Sequence, residues 1–186
     1  MKKLVLLNGP PRCGKDTVGQ MLVERLPGYR VDKFARKLKD LCHCLYGICG
    51  LPHSHYELCK DEPRAEFLGL SPRQVYIGLS ERYFKPMHGL DVFGRMLLED
   101  YRSFDGPGLI ITDCGFNDEV PPMIEHFGAA STLLVRLRRD GRDFSGDSRG
   151  YLLLDHMVQT LDLYNPEGLP ALSHGVETYL LPLVRS

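Results

Sequence analysis

The sequence predicts an α/β protein in which a mostly parallel sheet of about five strands lies between two layers of helices. Three short apolar runs, over residues 4–7, 109–112 and 132–137, are the first observation. Continuous apolar runs of this length are typical of strands buried on both faces of a parallel sheet. Stretches with apolar residues at helical spacing separate these runs, which is the second observation, and such alternation favours helices on both faces.

The individual elements follow in chain order. Helices are predicted over residues 18–26, about 35–47, 72–83, 92–101 and 169–180. Ser71 followed by Pro72 is typical of an N-cap and a first helical position. Asp91 is the predicted cap of the next helix. A last strand is predicted over residues 161–164, and parallel sheets of this kind bind ligands beyond the carboxyl ends of their strands.

Length and composition limit the function classes. The chain has 186 residues, of which 43% are hydrophobic and 25% charged, so we expect one folded domain over residues 1–186. The net charge of −1 argues against a protein that coats nucleic acid. Residues 1–60 nevertheless carry 11 Lys and Arg against 5 Asp and Glu. A local basic excess in a near-neutral protein suits a small anionic ligand.

The same sequence indicates the compartment. No apolar run approaches the roughly 18 residues of a membrane span. The first three residues include two lysines but lead directly into a predicted strand, which argues against a signal peptide. We therefore expect a cytoplasmic protein of a bacterium or a phage-infected cell, with reduced cysteines and with neither a membrane nor a nucleic-acid partner.

Residues 9–17 carry the most specific motif. Gly9, Gly14 and Lys15 have the spacing of a phosphate-binding loop, but Asp16 follows the lysine where Ser or Thr is usual, and Thr17 comes one residue later. The segment lies between a predicted strand and a predicted helix, which disfavours the alternative of a glycine-rich turn with a chance lysine. Backbone N–H groups would surround a phosphate there, and Lys15 would neutralise the β and γ phosphates of ATP. The predicted ATP-binding residues of this loop are Gly9, Arg12, Cys13, Gly14, Lys15, Asp16 and Thr17.

Asp113 directly follows the second apolar run. A carboxylate at this place in a P-loop protein orients magnesium through water. Any strand can end in aspartate by chance, but the pairing with a phosphate loop favours the functional interpretation. Asp16, Thr17 and Asp113 are accordingly the predicted magnesium ligands, partly through water.

The Gly-Lys-Asp-Thr sequence resembles the loop of phage-type deoxynucleoside monophosphate kinases and, to a lesser degree, that of animal phosphomevalonate kinase. Residues 34–39, 71–81 and 161–168 resemble further segments of the phage-type kinases in the same order. The similarity touches most of the chain in short pieces, of which only the phosphate loop is specific by itself. One departure is Gly115, because that family tends to have arginine two residues beyond the strand-end aspartate.

This resemblance implies a three-layer P-loop kinase fold with two specialised regions. One is a helical monophosphate-binding region over about residues 34–105, and the other is an arginine-rich lid over about residues 138–150. Phe34, Lys39 and Arg73 are the implied acceptor-binding residues, and Asn165 joins the ATP site. The catalytic candidates are Lys15, Asp113, Arg138 and Arg142. Phe34 has a core position as its alternative, and the lid arginines could instead be solvated beside neighbouring aspartates.

The expected reaction is ATP-dependent phosphoryl transfer to a (deoxy)nucleoside monophosphate, with magnesium, giving a diphosphate for DNA synthesis. The acceptor phosphate has a second pKa of about 6, so the reaction needs no strong general base. Two alternatives stay open: a small-molecule kinase of the phosphomevalonate or dephospho-coenzyme A type, and a non-catalytic nucleotide-binding scaffold or switch. A homodimer is also open, because related kinases include dimers. The cysteines and histidines of residues 42–59 fit no paired zinc spacing, although their density suggests a metal site as a lesser alternative.

Overall fold

A five-stranded sheet organises the chain. The computed structural model describes residues 2–166 and 168–186, so Met1 and Glu167, the latter in the predicted loop after the last strand, lie outside it. All strand pairs are parallel, and the strand order is β2-β3-β1-β4-β5. The strands are β1 Lys3–Asn8, β2 Arg30–Asp32, β3 Gly108–Cys114, β4 Thr132–Arg138 and β5 Gln159–Tyr164. The prediction of a mostly parallel sheet of about five strands is confirmed.

Helices lie between β1 and β2, between β2 and β3 and between β3 and β4, and further helices follow β5, whereas the described residues 139–158 join β4 to β5 without a helix. The helices are α1 Lys15–Arg25, α2 Arg36–Leu45, α3 Ser54–Glu57, α4 Pro72–Leu79, α5 Lys85–His88, α6 Val92–Tyr101, α7 Pro121–Phe127, α8 Leu169–Gly175 and α9 Leu181–Arg185. Two π-helical turns, Ser80–Phe84 and Val176–Leu180, join α4 to α5 and α8 to α9. The regular structure described between β2 and β3 is entirely helical, as the resemblance implies for that region.

The alternation of side chains along β1 separates two hydrophobic cores. Leu4 and Leu6 belong to the core that α2, α4, α6 and α7 cover. Val5 and Leu7 point to the other face, where they join residues of α1, α8 and α9. Successive residues of a strand face opposite sides of a sheet. The chain is therefore an α/β protein with helices on both faces of the sheet.

Most predicted elements occur with small changes of boundary, and two local expectations are corrected. No strand was predicted for residues 30–32, because β2 is short and its Val31 is 39% exposed at the sheet edge. Asp91 precedes α6 as expected, but it makes no side-chain cap and instead accepts a hydrogen bond from Arg95 Nε at 3.0 Å. The predicted cap at Ser71 is confirmed by a reciprocal capping box with Gln74.

Among the residues that the structure describes, none of the helices has the length and apolar character that a bilayer crossing requires.

Candidate functional site

A cavity of about 250 Å³ lies where β1, β2 and β3 end, between the loop after β1 and the helical region of α2 to α4. Seven of the sequence-predicted site residues line it: Arg12, Lys15, Asp16, Phe34, Lys39, Arg73 and Asp113. The other predicted residues are not among the described residues that line it: Gly9, Cys13, Gly14, Thr17, Arg138, Arg142 and Asn165. The cavity thus joins the predicted ATP loop to the predicted acceptor residues.

The loop after β1 has the backbone of an anion-binding turn. Gly14 precedes α1 with φ +107°, and Arg12 also has a positive φ of +61°. The first N–H groups of α1 have no acceptor within the helix, and the helix dipole adds partial positive charge at this end. A phosphate would therefore meet backbone donors in the position that the sequence motif predicts.

Lys15 lies folded across this loop. Its Nζ donates to the carbonyl oxygens of Gly9 and Pro10, both at 2.7 Å, and approaches Cys13 Sγ at 3.6 Å. Lys15 is only 9% exposed, and burial lowers the pKa of its ammonium although Cys13 and Asp16 oppose that effect. The ammonium is thus held at the loop, where it can exchange carbonyl oxygens for phosphate oxygens.

Two glycines of the loop are fixed by close approaches. A Cβ at Gly9, which has φ +155°, would lie 2.6 Å from the Leu137 carbonyl oxygen. A Cβ at Gly14 would lie 2.7 Å from Asn165 Nδ2. Asn165 is buried and donates from Nδ2 to the Cys13 carbonyl oxygen at 2.7 Å. Asn165 therefore holds the backbone of the phosphate loop at Cys13. It is not among the described residues that line the cavity, so this contact differs from direct contact with a ligand there.

Asp16 is positioned by two residues that the sequence analysis missed. Thr112 Oγ1 donates to Asp16 Oδ1 at 2.8 Å, and Lys33 Nζ lies 2.9 Å from the same oxygen. Burial alone would raise the pKa of Asp16, but the Lys33 charge and the two hydrogen bonds lower it. Asp16 is therefore a carboxylate at neutral pH.

Asp113 has a different environment at the end of β3. Its two carboxylate oxygens accept the backbone N–H groups of Phe34 at 2.8 Å and Ala35 at 3.0 Å. Burial raises the pKa of Asp113, and these two hydrogen bonds act against the rise. Asp113 thus connects β3 to the start of α2 and fixes where the predicted acceptor residues begin.

The donor set of this region fits magnesium in chemical type. Carboxylate and hydroxyl oxygens are the ligands that this ion prefers. Asp16 Oδ2 has no hydrogen-bond partner among the described residues, whereas each oxygen of Asp113 already accepts an N–H group. Asp16 is consequently the more available of the two carboxylates, and Thr17 is half-buried beside it on α1.

The predicted acceptor residues are held by carboxylates on neighbouring helices and loops. Lys39 Nζ lies 2.5 Å from Glu57 Oε1, and this charge lowers the pKa of Glu57 to about 2 although burial opposes it. Arg73 Nε donates to Asp61 Oδ1 at 2.5 Å. Phe34 is 3% exposed and packs in the core, and it also lines the cavity. Its contact with an acceptor stays a prediction.

The arginines of residues 138–150 differ sharply in position. Arg138 donates to Asp162 Oδ1 at 2.8 Å and lies over the Tyr151 ring, away from the cavity lining. Arg142 is exposed. Arg149, which was not chosen from the sequence, lines the cavity. The preference for Arg138 and Arg142 stays a prediction that would require this segment to move.

A buried ion pair joins Lys85 to Glu119, and Glu119 lines the cavity. Glu119 and Lys85 each have 5% of the side chain exposed, and Lys85 Nζ lies 3.7 Å from Glu119 Oε1 and 2.9 Å from Glu81 Oε1. Burial raises the pKa of Glu119 to about 8, and Lys85 opposes this shift. Glu119 therefore changes protonation near neutral pH.

Replacing Glu119 with glutamine should change how stability depends on pH. The folded-state pKa lies above the unfolded value, so the folded protein holds an extra proton and loses stability as pH rises toward 8. Glu119→Gln should raise the free energy of unfolding by about 3 kcal/mol more at pH 8 than at pH 5, because each unit of pKa shift corresponds to about 1.4 kcal/mol. Urea denaturation at both values measures this. Glu125→Gln, which changes an exposed carboxyl group on α7, is the control and should keep the wild-type pH dependence. An unchanged dependence in Glu119→Gln would contradict the prediction.

The cysteines and histidines of residues 42–59 make separate local contacts. His43 contacts the Leu51 carbonyl oxygen at 3.2 Å and Tyr76 Oη at 2.9 Å. His53 lies 2.9 Å from Asp40. The exposed thiols of Cys44 and Cys49 are 2.9 Å apart. Within residues 2–166 and 168–186, no group of three or more Cys, His, Asp or Glu side chains is arranged to hold a metal ion.

Comparison with known proteins adds no family to this description: no protein-family model matches the chain, and no curated protein matches it significantly.

Proposed function

We propose that this protein transfers a phosphoryl group from ATP to a nucleoside monophosphate, with deoxynucleotides as the preferred acceptors. The observation that carries the proposal is the single cavity shared by Lys15 of the phosphate loop and by Lys39 and Arg73 of the helical region. A kinase of this type must bring two polyanions together, and cations on both sides of one cavity serve that need. The deoxynucleotide preference comes from the sequence resemblance alone.

In the proposed reaction, an oxygen of the acceptor phosphate attacks the γ-phosphorus of ATP. A new P–O bond forms, the bond between the γ-phosphorus and the β–γ bridging oxygen breaks, and ADP leaves with that oxygen. Lys15 and the loop N–H groups hold the donor phosphates, while Arg73 and Lys39 hold the acceptor. Magnesium, when bound near Asp16 and Thr17, supplies positive charge to the donor phosphates.

The carboxylates beside Lys39 and Arg73 have a consequence for this reaction. Glu57 and Asp61 keep the side chains of Lys39 and Arg73 in place. When the acceptor binds, each of these cations exchanges a carboxylate for the acceptor phosphate. Arginine can hold phosphate through two parallel hydrogen bonds, which lysine cannot match. We therefore assign Arg73 the larger share of acceptor orientation.

A coupled ADP-release assay tests the proposal. It would contain ATP, magnesium and, in separate reactions, each ribo- and deoxynucleoside monophosphate. Release that depends on at least one monophosphate would support the proposal and name the substrate. Measurable ATP binding without any monophosphate-dependent release would overturn it. Phosphomevalonate and dephospho-coenzyme A in the same assay would identify the small-molecule alternative.

A further inference from the structure

Arg149 occupies space that belongs to position 115. A Cβ built on Gly115 would lie 2.6 Å from each of Arg149 Cβ, Cγ and Cδ. The neighbouring backbone is fixed, because Gly150 N donates to the Gly115 carbonyl oxygen at 3.0 Å and Asn8 Nδ2 donates to the Gly150 carbonyl oxygen at 2.9 Å. The stem of Arg149 can lie there only because residue 115 has no side chain.

The guanidinium of Arg149 is held in an anion-binding geometry. Its Nε and Nη2 donate to the two oxygens of Asp147 at 2.9 and 2.6 Å, in the paired arrangement that arginine also offers to phosphate. The side chain of Asp147 is 7% exposed, and Arg73 Nη1 lies 4.0 Å from its Oδ2. The hydrogen bonds from Arg149 lower the pKa of Asp147 to about 2. A carboxylate of this chain thus lies between two arginines inside the cavity.

The same guanidinium lies within electrostatic range of the phosphate loop. Its positive charge contributes to the lowered pKa of Lys15, after burial as the larger cause. Arg149 lines the same cavity as Lys15, which would hold the donor phosphates, and Arg73, which would hold the acceptor. A cation in that position faces the group that passes from one to the other.

We propose that Arg149 is the arginine that contacts the transferring phosphoryl group, and that it supplies from residues 138–150 the guanidinium for which position 115 has no side chain. The inference rests on the proposed function and replaces Arg138 and Arg142 in that role. Asp147 acts as the positioning residue, since its carboxylate fixes the guanidinium until a phosphate takes its place.

A reciprocal exchange of the two side chains tests this assignment. Arg149→Gly should lower kcat for ATP-dependent transfer by about 10³, the lower range known for arginines that contact a transferring phosphoryl group. The double variant Arg149→Gly with Gly115→Arg should recover at least about tenfold of that loss, because the new arginine starts from the space that the old stem vacates. Arg149→Lys should stay close to Arg149→Gly, since lysine lacks the paired donors.

Arg102→Ala, which removes an exposed arginine directly after α6, is the matched control and should keep wild-type kcat. Thermal denaturation of every variant verifies folding. If wild type is active and folded Arg149→Gly keeps more than a third of its kcat, the role of Arg149 is overturned while the proposed function stands. If the folded double variant recovers nothing, the relation between positions 115 and 149 is overturned.

A binding measurement separates this inference from the reaction itself. If wild type transfers no phosphoryl group to any acceptor, the proposed function fails, and titration with inorganic pyrophosphate then decides the inference. An affinity for pyrophosphate at least tenfold weaker in Arg149→Gly than in wild type would retain Arg149 as a phosphate ligand. Equal affinities in the two proteins would overturn that role as well.

Discussion

Replacing Lys15 with methionine is expected to lower ATP-dependent transfer by about 10³ or more while leaving the fold intact. The ammonium is the charge closest to the phosphate loop, and removing one preorganised donor to a developing charge costs about 10²–10³ by itself. Because burial lowers the pKa of Lys15, the folded state holds this charge at a cost. Methionine keeps the apolar stem without the charge, so the melting temperature should stay within about 2 °C of wild type.

The measurement combines the ADP-release assay with thermal denaturation of the same samples. Lys37→Met is the matched control, because Lys37 lies on α2 and pairs with Asp100 outside the cavity lining. It should leave the rate unchanged. A folded Lys15→Met that keeps more than a tenth of wild-type activity would contradict the role given to Lys15. A melting temperature lower by more than about 5 °C would show that the ammonium is needed for the loop itself.

The sequence predicted best those strands that consist almost entirely of apolar residues. The strand over residues 109–112 is buried on both faces, so its composition alone identifies it. β2 was not predicted, because an edge strand of three residues has exposed, polar positions whose sequence resembles that of a loop. Lys33 was not predicted either, since its contact with Asp16 depends on its place directly after this strand. Thr112 contacts Asp16 from 96 positions away in the chain, and no local pattern reports such a contact.

The arginines of residues 138–150 show a second reason why sequence alone does not identify a site. Their density predicted a phosphate-facing segment, but composition does not tell which member of a cluster points inward. Arg149 points inward because a tight backbone link joins Gly150 to Gly115. The missing side chain at position 115 was visible in the sequence as a departure from the resembled family. Its meaning depends on the three-dimensional neighbour, which becomes apparent only when residues 115 and 149 are seen in contact.

Replacing Gly94 with alanine should destabilise the protein strongly. Gly94 lies in α6 directly against the segment Asn117–Glu119. A Cβ there would overlap the Glu119 carbonyl oxygen and would lie 3.0 Å from its carbonyl carbon. Backbone atoms cannot turn aside as a side chain does, so α6 and this segment must separate. The expected loss is about 3 kcal/mol or more in the free energy of unfolding, or roughly 6–12 °C in melting temperature.

The same substitution at Gly78 should have the opposite sign. Gly78 lies inside α4 and has no atom within 4 Å of an added Cβ. Alanine there only reduces the freedom of the unfolded chain and favours the helix, which should stabilise the protein by about 0.5–1 kcal/mol. Urea denaturation of both variants compares close packing with helix propensity at two helical glycines. If Gly94→Ala were also neutral or stabilising, the close approach of α6 to Glu119 would be wrong, and so would the position of Glu119 at the cavity.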